Sequence, residues 1–296
     1  MRWPAEVGKM DRMKLILKPV QARQGVQWVV QALKVFGRQP LGLAGLFGTF
    51  LFLALVLMLV PVIGGVVVLA AVPLLGLVMM MGTAAVVRGQ RALPGLYLAP
   101  FRTDAVRRSR LLVLCAAYGA LSLLVLLVSE AIDGGKLNEL QELMAAGRDD
   151  ARTREELQRL LADPQLLGGL YARVGLTALI SIPFWHAPAL VWWGQQSAAQ
   201  ALFSSTLAIW RSKGAFVSFV AAWVSLLGVS GLGLGLVLQA LGLSGLMGVL
   251  AMPLGLTLSV IFYASLYFMF VQTFGTGEAG SERTDEDAPD EISPPA

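Results

Sequence analysis

The run PLGLAGLFGTFLFLALVLMLVPVIGGVVVLAAVPLLGLVMMMGTAAVV, residues 40–87, decides the fold. Arg38 and Arg88 bound it, and no charged side chain lies between them. An apolar helix crosses the ~30 Å hydrocarbon core in about 20 residues, so the run is long enough for two crossings. Pro61-Val62-Ile63-Gly64-Gly65 supplies the turn that splits them. A soluble domain has no use for two such helices in tandem.

The same rule, applied outward, finds charge-free gaps between Arg110 and Glu130, between Arg173 and Arg211, and between Lys213 and Glu278. The last gap holds two crossings, separated at Gly242-Leu243-Ser244-Gly245. The expected fold is therefore an all-α integral membrane protein with six transmembrane helices, near 42–60, 66–87, 111–129, 174–193, 216–238 and 246–270. Composition agrees: 56% of the 296 residues are hydrophobic and 14% charged, against roughly 25% charged in soluble domains. Collagen and intrinsic disorder are excluded, and the single cysteine, Cys115, excludes a disulfide scaffold.

Basic residues set the expected orientation. Eight precede the first span and six lie between the second and third, among them Arg88, Arg91, Arg107, Arg108 and Arg110. The loop between the third and fourth spans holds nine acids against six bases. Both termini are thus expected in the cytoplasm of an inner-membrane protein, with 130–170 as an extracytoplasmic loop. The first 40 residues are too charged for a cleavable signal peptide. They read as a basic segment ending in an amphipathic helix, on which Val26, Val29, Val30, Leu33 and Phe36 share a face. Such a helix lies on anionic lipid head groups or packs on the protein itself; the two readings are equally open. Residues 41–272 form the membrane domain, and 273–296 an acidic tail expected to be disordered.

An internal repeat organises the spans. Gln31–Arg38 before the first span and Ser205–Ser212 before the fifth both run from an aliphatic residue through an aromatic to a basic or polar stop. Leu69-Ala70-Ala71-Val72-Pro73-Leu74 matches Leu250-Ala251-Met252-Pro253-Leu254. With Pro183 as the third member, three parallel helical hairpins are expected, each carrying a proline in the first half of its second helix. Glycines at 42, 45, 48, 231 and 235 are expected to pack helices closely. In the long loop, Leu137, Leu140 and Met144 fall at helical spacing, and Thr153-Arg154-Glu155-Glu156 fits a capping box before Leu157, Leu160 and Leu161.

Catalytic signatures are missing: no nucleophile elbow, phosphate loop or metalloprotease motif is present. No enzyme activity, cofactor, metal site or nucleic-acid partner is expected. The fourth span is the exception to an otherwise plain membrane domain. Ser181-Ile182-Pro183-Phe184-Trp185-His186-Ala187-Pro188 contains two prolines that each remove an amide donor, and between them the only histidine. An ionisable group inside a span is a functional candidate. The preferred reading of His186 is nonetheless structural, a neutral ring donating to a carbonyl freed by Pro183 or Pro188. Trp185 reads as a core or interface anchor. No Asp, Glu, Lys or Arg is expected in the central part of any span, which argues against an ion-coupled transporter.

Gln27-Trp28, Phe36-Gly37-Arg38-Gln39-Pro40, Leu93-Pro94-Gly95-Leu96, Ala99-Pro100-Phe101-Arg102, Phe184–Val191 and Ala201-Leu202-Phe203-Ser204, in that order, resemble an uncharacterised proteobacterial family of multi-pass membrane proteins. More distantly, they are similar to the membrane domain fused to some glycerophosphodiester phosphodiesterases. The resemblance implies an inner-membrane location and no established activity. Three functions are expected in turn: a non-catalytic protein that organises lipid or protein partners (a second copy included), a permease-like carrier or channel for a neutral or amphiphilic solute, and, with least support, an intramembrane enzyme using His186.

Overall fold

The computed structural model describes residues 15–61, 63–146 and 150–276. Six helices in it are long and apolar enough to cross a membrane: Pro40–Met58, Ile63–Val87, Ala105–Asp133, Pro164–Trp192, Lys213–Ala240 and Ser244–Thr273. This is an all-α membrane protein. Its helices are α1 (Arg23–Arg38), α2 (Pro40–Met58), α3 (Ile63–Val87), α4 (Ala105–Asp133), α5 (Lys136–Ala145), α6 (Ala151–Leu161), α7 (Pro164–Phe184), α8 (Ala187–Trp192), α9 (Ala198–Arg211), α10 (Lys213–Ala240) and α11 (Met247–Thr273).

Local chemistry sets the boundaries. Asp104 caps α4 by accepting the Arg107 amide at 2.8 Å, and Gly134, at φ +64°, ends it in the left-handed conformation that glycine adopts without strain. Ser197 and Gln200 form a reciprocal capping box at the start of α9. In the loop, Asp150 rather than Thr153 caps α6, accepting the Thr153 amide at 2.7 Å. The expected Thr153 box therefore does not form, because an aspartate three residues earlier already occupies that position. Asp163 caps α7, and Pro164 occupies its first turn, where a missing amide costs nothing.

That last cap corrects the fourth span. Its helix begins at Pro164, ten residues before the expected start, and breaks after Phe184. Pro183 consequently lies in the last turn of α7, not in the first half of the span, whereas Pro73 and Pro253 fall in the first halves of α3 and α11.

The repeat appears in the packing. A short lead-in precedes each hairpin: α1, the 3-10 stretch Pro94–Phe101, and α9. Each lead-in rests on the hairpin before it. The 94–101 stretch sits on α2 and α3, with the Tyr97 hydroxyl donating to the Leu46 carbonyl at 3.0 Å, and α9 sits on α7 and α8. The lead-in α1 instead docks on α10 and α11 of the last unit, which closes the ring. A Cβ on Gly25 would collide with the Ala215 carbonyl and lie 2.6 Å from the Phe219 nitrogen, so α1 and α10 meet backbone to backbone there. Ser218 Oγ, from α10, donates to the Ala22 carbonyl.

The chain ends are joined as well. Two three-residue strands, β1 (Leu15–Leu17) and β2 (Phe274–Thr276), pair antiparallel with Leu17 opposite Phe274. Residues 274–276 of the expected tail are thus part of the fold, because Phe274 is buried and brings its neighbours with it. The remainder of the tail, and the basic residues before Leu15, fall outside the described residues.

Of the two readings of α1, packing on the protein accounts for one face and leaves the other. Trp28, Val29, Ala32 and Val35 are buried, while Val26, Val30 and Leu33 are exposed at helical spacing. The expected glycine packing is mostly not made within this chain. Space within 4 Å is open at Gly45, Gly48, Gly231 and Gly235, and only Gly42, beside Ala92, touches a neighbour. Close contacts between helices occur instead at Gly25, at Gly82 against Leu46, at Gly169 against Asp133, and at Gly119, where a Cβ would lie 2.9 Å from that of Ala70.

Candidate functional site

His186 sits where the fourth span breaks, between α7 and α8, and is fully buried. Pro183 and Pro188 flank the break. Pro188 stands in the first turn of α8, so the helix restarts there, with the Leu190 amide donating to the His186 carbonyl at 2.9 Å. The partner of the ring is Ser205 on α9. Its hydroxyl lies 3.4 Å from His186 Nδ1 and also accepts the His186 amide at 3.4 Å. The expected donation to a proline-freed carbonyl is therefore not made. The buried Nε2 has no hydrogen-bond partner among the described residues.

Rings enclose the imidazole. Phe216, Phe270 and Phe274 have centroids 6.0, 6.3 and 5.6 Å from it. Phe216 opens α10, Phe270 closes α11 and Phe274 begins β2. His186 thus lies at the end of the bundle that carries the termini, not at its mid-depth. His186 lines neither the cavity bounded by Arg173 and Tyr118, nor that walled by Phe216 and Val220, nor that at Arg38 and Arg91. Trp185 alone of the four kink residues reaches them, lining two cavities while packing on Phe216, Phe219 and Phe262.

The larger surprise is Arg173. Because α7 begins at Pro164, this arginine is the tenth residue of a membrane helix, not the last residue of a loop. Gly169, one turn earlier, abuts Asp133 at the end of α4, so Arg173 stands toward the loop end of its helix, and the central parts of the six spans carry no Asp, Glu, Lys or Arg. Charge counting ends a span at the first charge it meets, and Arg173 was that charge. Its Nε is buried without a hydrogen-bond partner, and among the described residues the guanidinium pairs with no carboxylate. It borders a cavity of about 450 Å³ enclosed by α3, α4, α7 and α11. Thr177 and Ser181 follow Arg173 on the same face, and Tyr118 is hydrogen-bonded to Ser181 at 3.1 Å.

The five basic residues expected at the lipid surface divide. Arg107 pairs with Asp104 at 3.5 Å and lies over the Trp192 ring. Arg108 donates to the Phe101 carbonyl at 3.4 Å and Arg110 to the Gln195 carbonyl at 2.6 Å. Those three tie the start of α4 to the 94–101 stretch, to the end of α8 and to the turn after it. Arg91, by contrast, faces Arg38 across a cleft of about 650 Å³ at the start of α2. Arg88, at the end of α3, makes no ion pair among the described residues. No group of metal-ligating residues occurs among the described residues.

No family model matches the chain, and no solved structure matches it. A probable inner membrane protein of Burkholderia thailandensis is 31% identical over 266 residues, covering 89% of this chain and 96% of the relative. Nothing in these findings bears out a similarity to glycerophosphodiester phosphodiesterases. With the relative matched almost end to end, and six membrane-spanning helices in the fold, the chain belongs to the same family of multi-pass inner membrane proteins as that Burkholderia protein.

Proposed function

We propose that this protein is a non-catalytic organiser of membrane lipid, gathering anionic head groups at a basic cytoplasmic end. The observation that carries the reading is the Arg38–Arg91 cleft. Apart from the Gln39 amide, its other walls are apolar or backbone, including Pro40, Leu41, Leu93 and Pro94, and neither arginine pairs with a carboxylate among the described residues. Beside it, the lead-ins present exposed apolar side chains, namely Val26, Val30 and Leu33, then Leu93, Leu98 and Phe101, then Phe203 and Trp210. Apolar stripes flanked by free cations are how a protein surface rests in the head-group layer.

The test is lipid enrichment around protein in nanodiscs made with equal phosphatidylglycerol and phosphatidylcholine. Each surface cation is worth ~1 kcal/mol toward an anionic leaflet. An Arg38→Gln/Arg91→Gln variant should therefore lose about tenfold or more of its phosphatidylglycerol enrichment, and unchanged enrichment would sink the reading. Orientation is checked separately: a periplasm-active reporter fused after Gln272 should stay silent.

A carrier for a neutral or amphiphilic solute is the second reading, favoured by the cavity beside the interrupted fourth span. It requires solute uptake by proteoliposomes that filling the cavity with Ala178→Phe abolishes.

A further inference from the structure

The three units do not close equally around their ring. The first packs along the second through α3 and α4, and along the third through α3 and α11. Between the second and third units, α7 does not pack along α10 or α11; the two sides meet only from the helix break onward, where Trp185 touches Phe216, Phe219 and Phe262, His186 lies among Phe216, Phe270 and Phe274, and Trp193 packs on Tyr267 and Phe270. The result is a sideways opening with Val174, Thr177 and Ala178 exposed at its rim. Behind that rim lies the Arg173 cavity, and beyond Trp185 a second one of about 580 Å³, walled by Phe216, Val217, Val220 and Val224.

The lining changes character along one face of α7. Arg173, Thr177, Ser181 and Trp185 follow each other at intervals of four, so a cation and two hydroxyls give way to an aromatic ring. At 1.5 Å rise per residue, Arg173 and Trp185 are ~18 Å apart. That exceeds one leaflet's share, ~15 Å, of a ~30 Å hydrocarbon core, so Trp185 lies past the midplane on the side of the termini. A guanidinium without a counter-charge in a span is costly, and its planar fork matches phosphate oxygens, which would supply both the charge and an acceptor for the unpartnered Nε.

We propose that this opening holds one anionic phospholipid, its phosphate on Arg173 within reach of Thr177, and one acyl chain running past Ser181 to Trp185 and into the second cavity. The lipid comes from the leaflet opposite the termini, since Arg173 lies one turn past Gly169, which abuts Asp133 at the loop end of α4. This site is separate from the Arg38–Arg91 cleft at the other end of the bundle and stands or falls without it.

Native mass spectrometry of the full chain, released from detergent with phosphatidylglycerol, phosphatidylcholine or inorganic phosphate, tests the site. The wild type should keep one phosphatidylglycerol through collisional activation, in preference to phosphatidylcholine. Arg173→Gln should weaken that retention about tenfold to a hundredfold, the range expected for hydrogen bonds to a charged group. Ala178→Phe, which fills the opening and leaves Arg173 in place, should lose the lipid too, and it decides the matter if Arg173→Gln fails to fold. Arg38→Gln/Arg91→Gln should keep the lipid whatever happens to annular enrichment. Equal retention by the wild type and either cavity variant, or equal retention of the two lipids, overturns the proposal. So does binding of inorganic phosphate in place of lipid.

Discussion

The Trp28 indole N–H donates to Gln272 Oε1 at 2.8 Å, joining two residues 244 positions apart. Gln272 in turn donates to Gln31 Oε1 at 3.2 Å, so one amide ties both sides of the α1 face to the last turns of α11. Trp28 is fully buried, with its ring against Phe216 and Phe219. Trp28→Phe keeps most of the apolar contact but leaves the Gln272 oxygen without its indole donor. It should cost about 1–3 kcal/mol, whereas Trp28→Ala should cost ~3–5 kcal/mol by opening a cavity. Thermal unfolding in detergent should rank the melting temperatures wild type, Phe, Ala; an Ala variant no worse than Phe would contradict the packing.

Gly25 is the second test of ring closure. Its neighbours are the backbone of Ala215 and Phe219, which cannot rotate away as a side chain would. Gly25→Ala should therefore prise α1 from α10, although alanine is the better helix former by ~1 kcal/mol. Limited proteolysis between α1 and α2 should quicken. Substitution at Gly37, where nothing lies within 4 Å, should leave it unchanged.

His186 and Ser205 should behave as a coupled pair. Removing either side chain strands a polar group of the other, so their separate losses should not add. A double-mutant cycle of His186→Leu and Ser205→Ala should return a coupling of about 0.5–1.5 kcal/mol, the net value of one hydrogen bond. An additive cycle would mean that the 3.4 Å contacts carry no energy.

The Asp163 cap predicts an acid response in the loop. The hydrogen bond from Lys136 and the Gln165 amide hold its carboxyl below the ordinary value of 3.8. A depressed folded value stabilises above 3.8, and that contribution disappears as pH falls through the lower value. Hydrogen exchange at the start of α7 should stay protected from neutral pH down to about 4 and loosen only below that. Asp163→Asn should remove this acid-dependent step, and loosening already near pH 6 would point to another group.

The six spans were legible because charge is excluded from the hydrocarbon core, and gaps in charge survive without any knowledge of contacts. The same rule ended the fourth span at Arg173, although the helix continues back to Pro164. The signal that would have placed it was present in Asp163-Pro164, a cap followed by a first-turn proline. The ring of units was half legible: lead-ins and hairpins could be matched, but nothing local says that α1 docks on α10 and α11. Ser205 lies 19 residues past His186 across a turn, so their meeting depends on tertiary packing alone. Open glycine faces at Gly231 and Gly235 show the converse, a packing motif with no helix of this chain against it.

Ring closure through α1 also has a temporal side. Ribosomes deliver the chain from its N-terminus, so α1 emerges first while the surface it docks on, α10 and α11, is made last. At roughly 5–20 residues per second, the 244 positions separating Trp28 from Gln272 take about 12–50 s to synthesise. Throughout that interval Trp28, Val29, Ala32 and Val35 have no protein to cover them. A half-made molecule must shelter those side chains in the membrane surface or on a chaperone, and finishing the sixth span is what releases them.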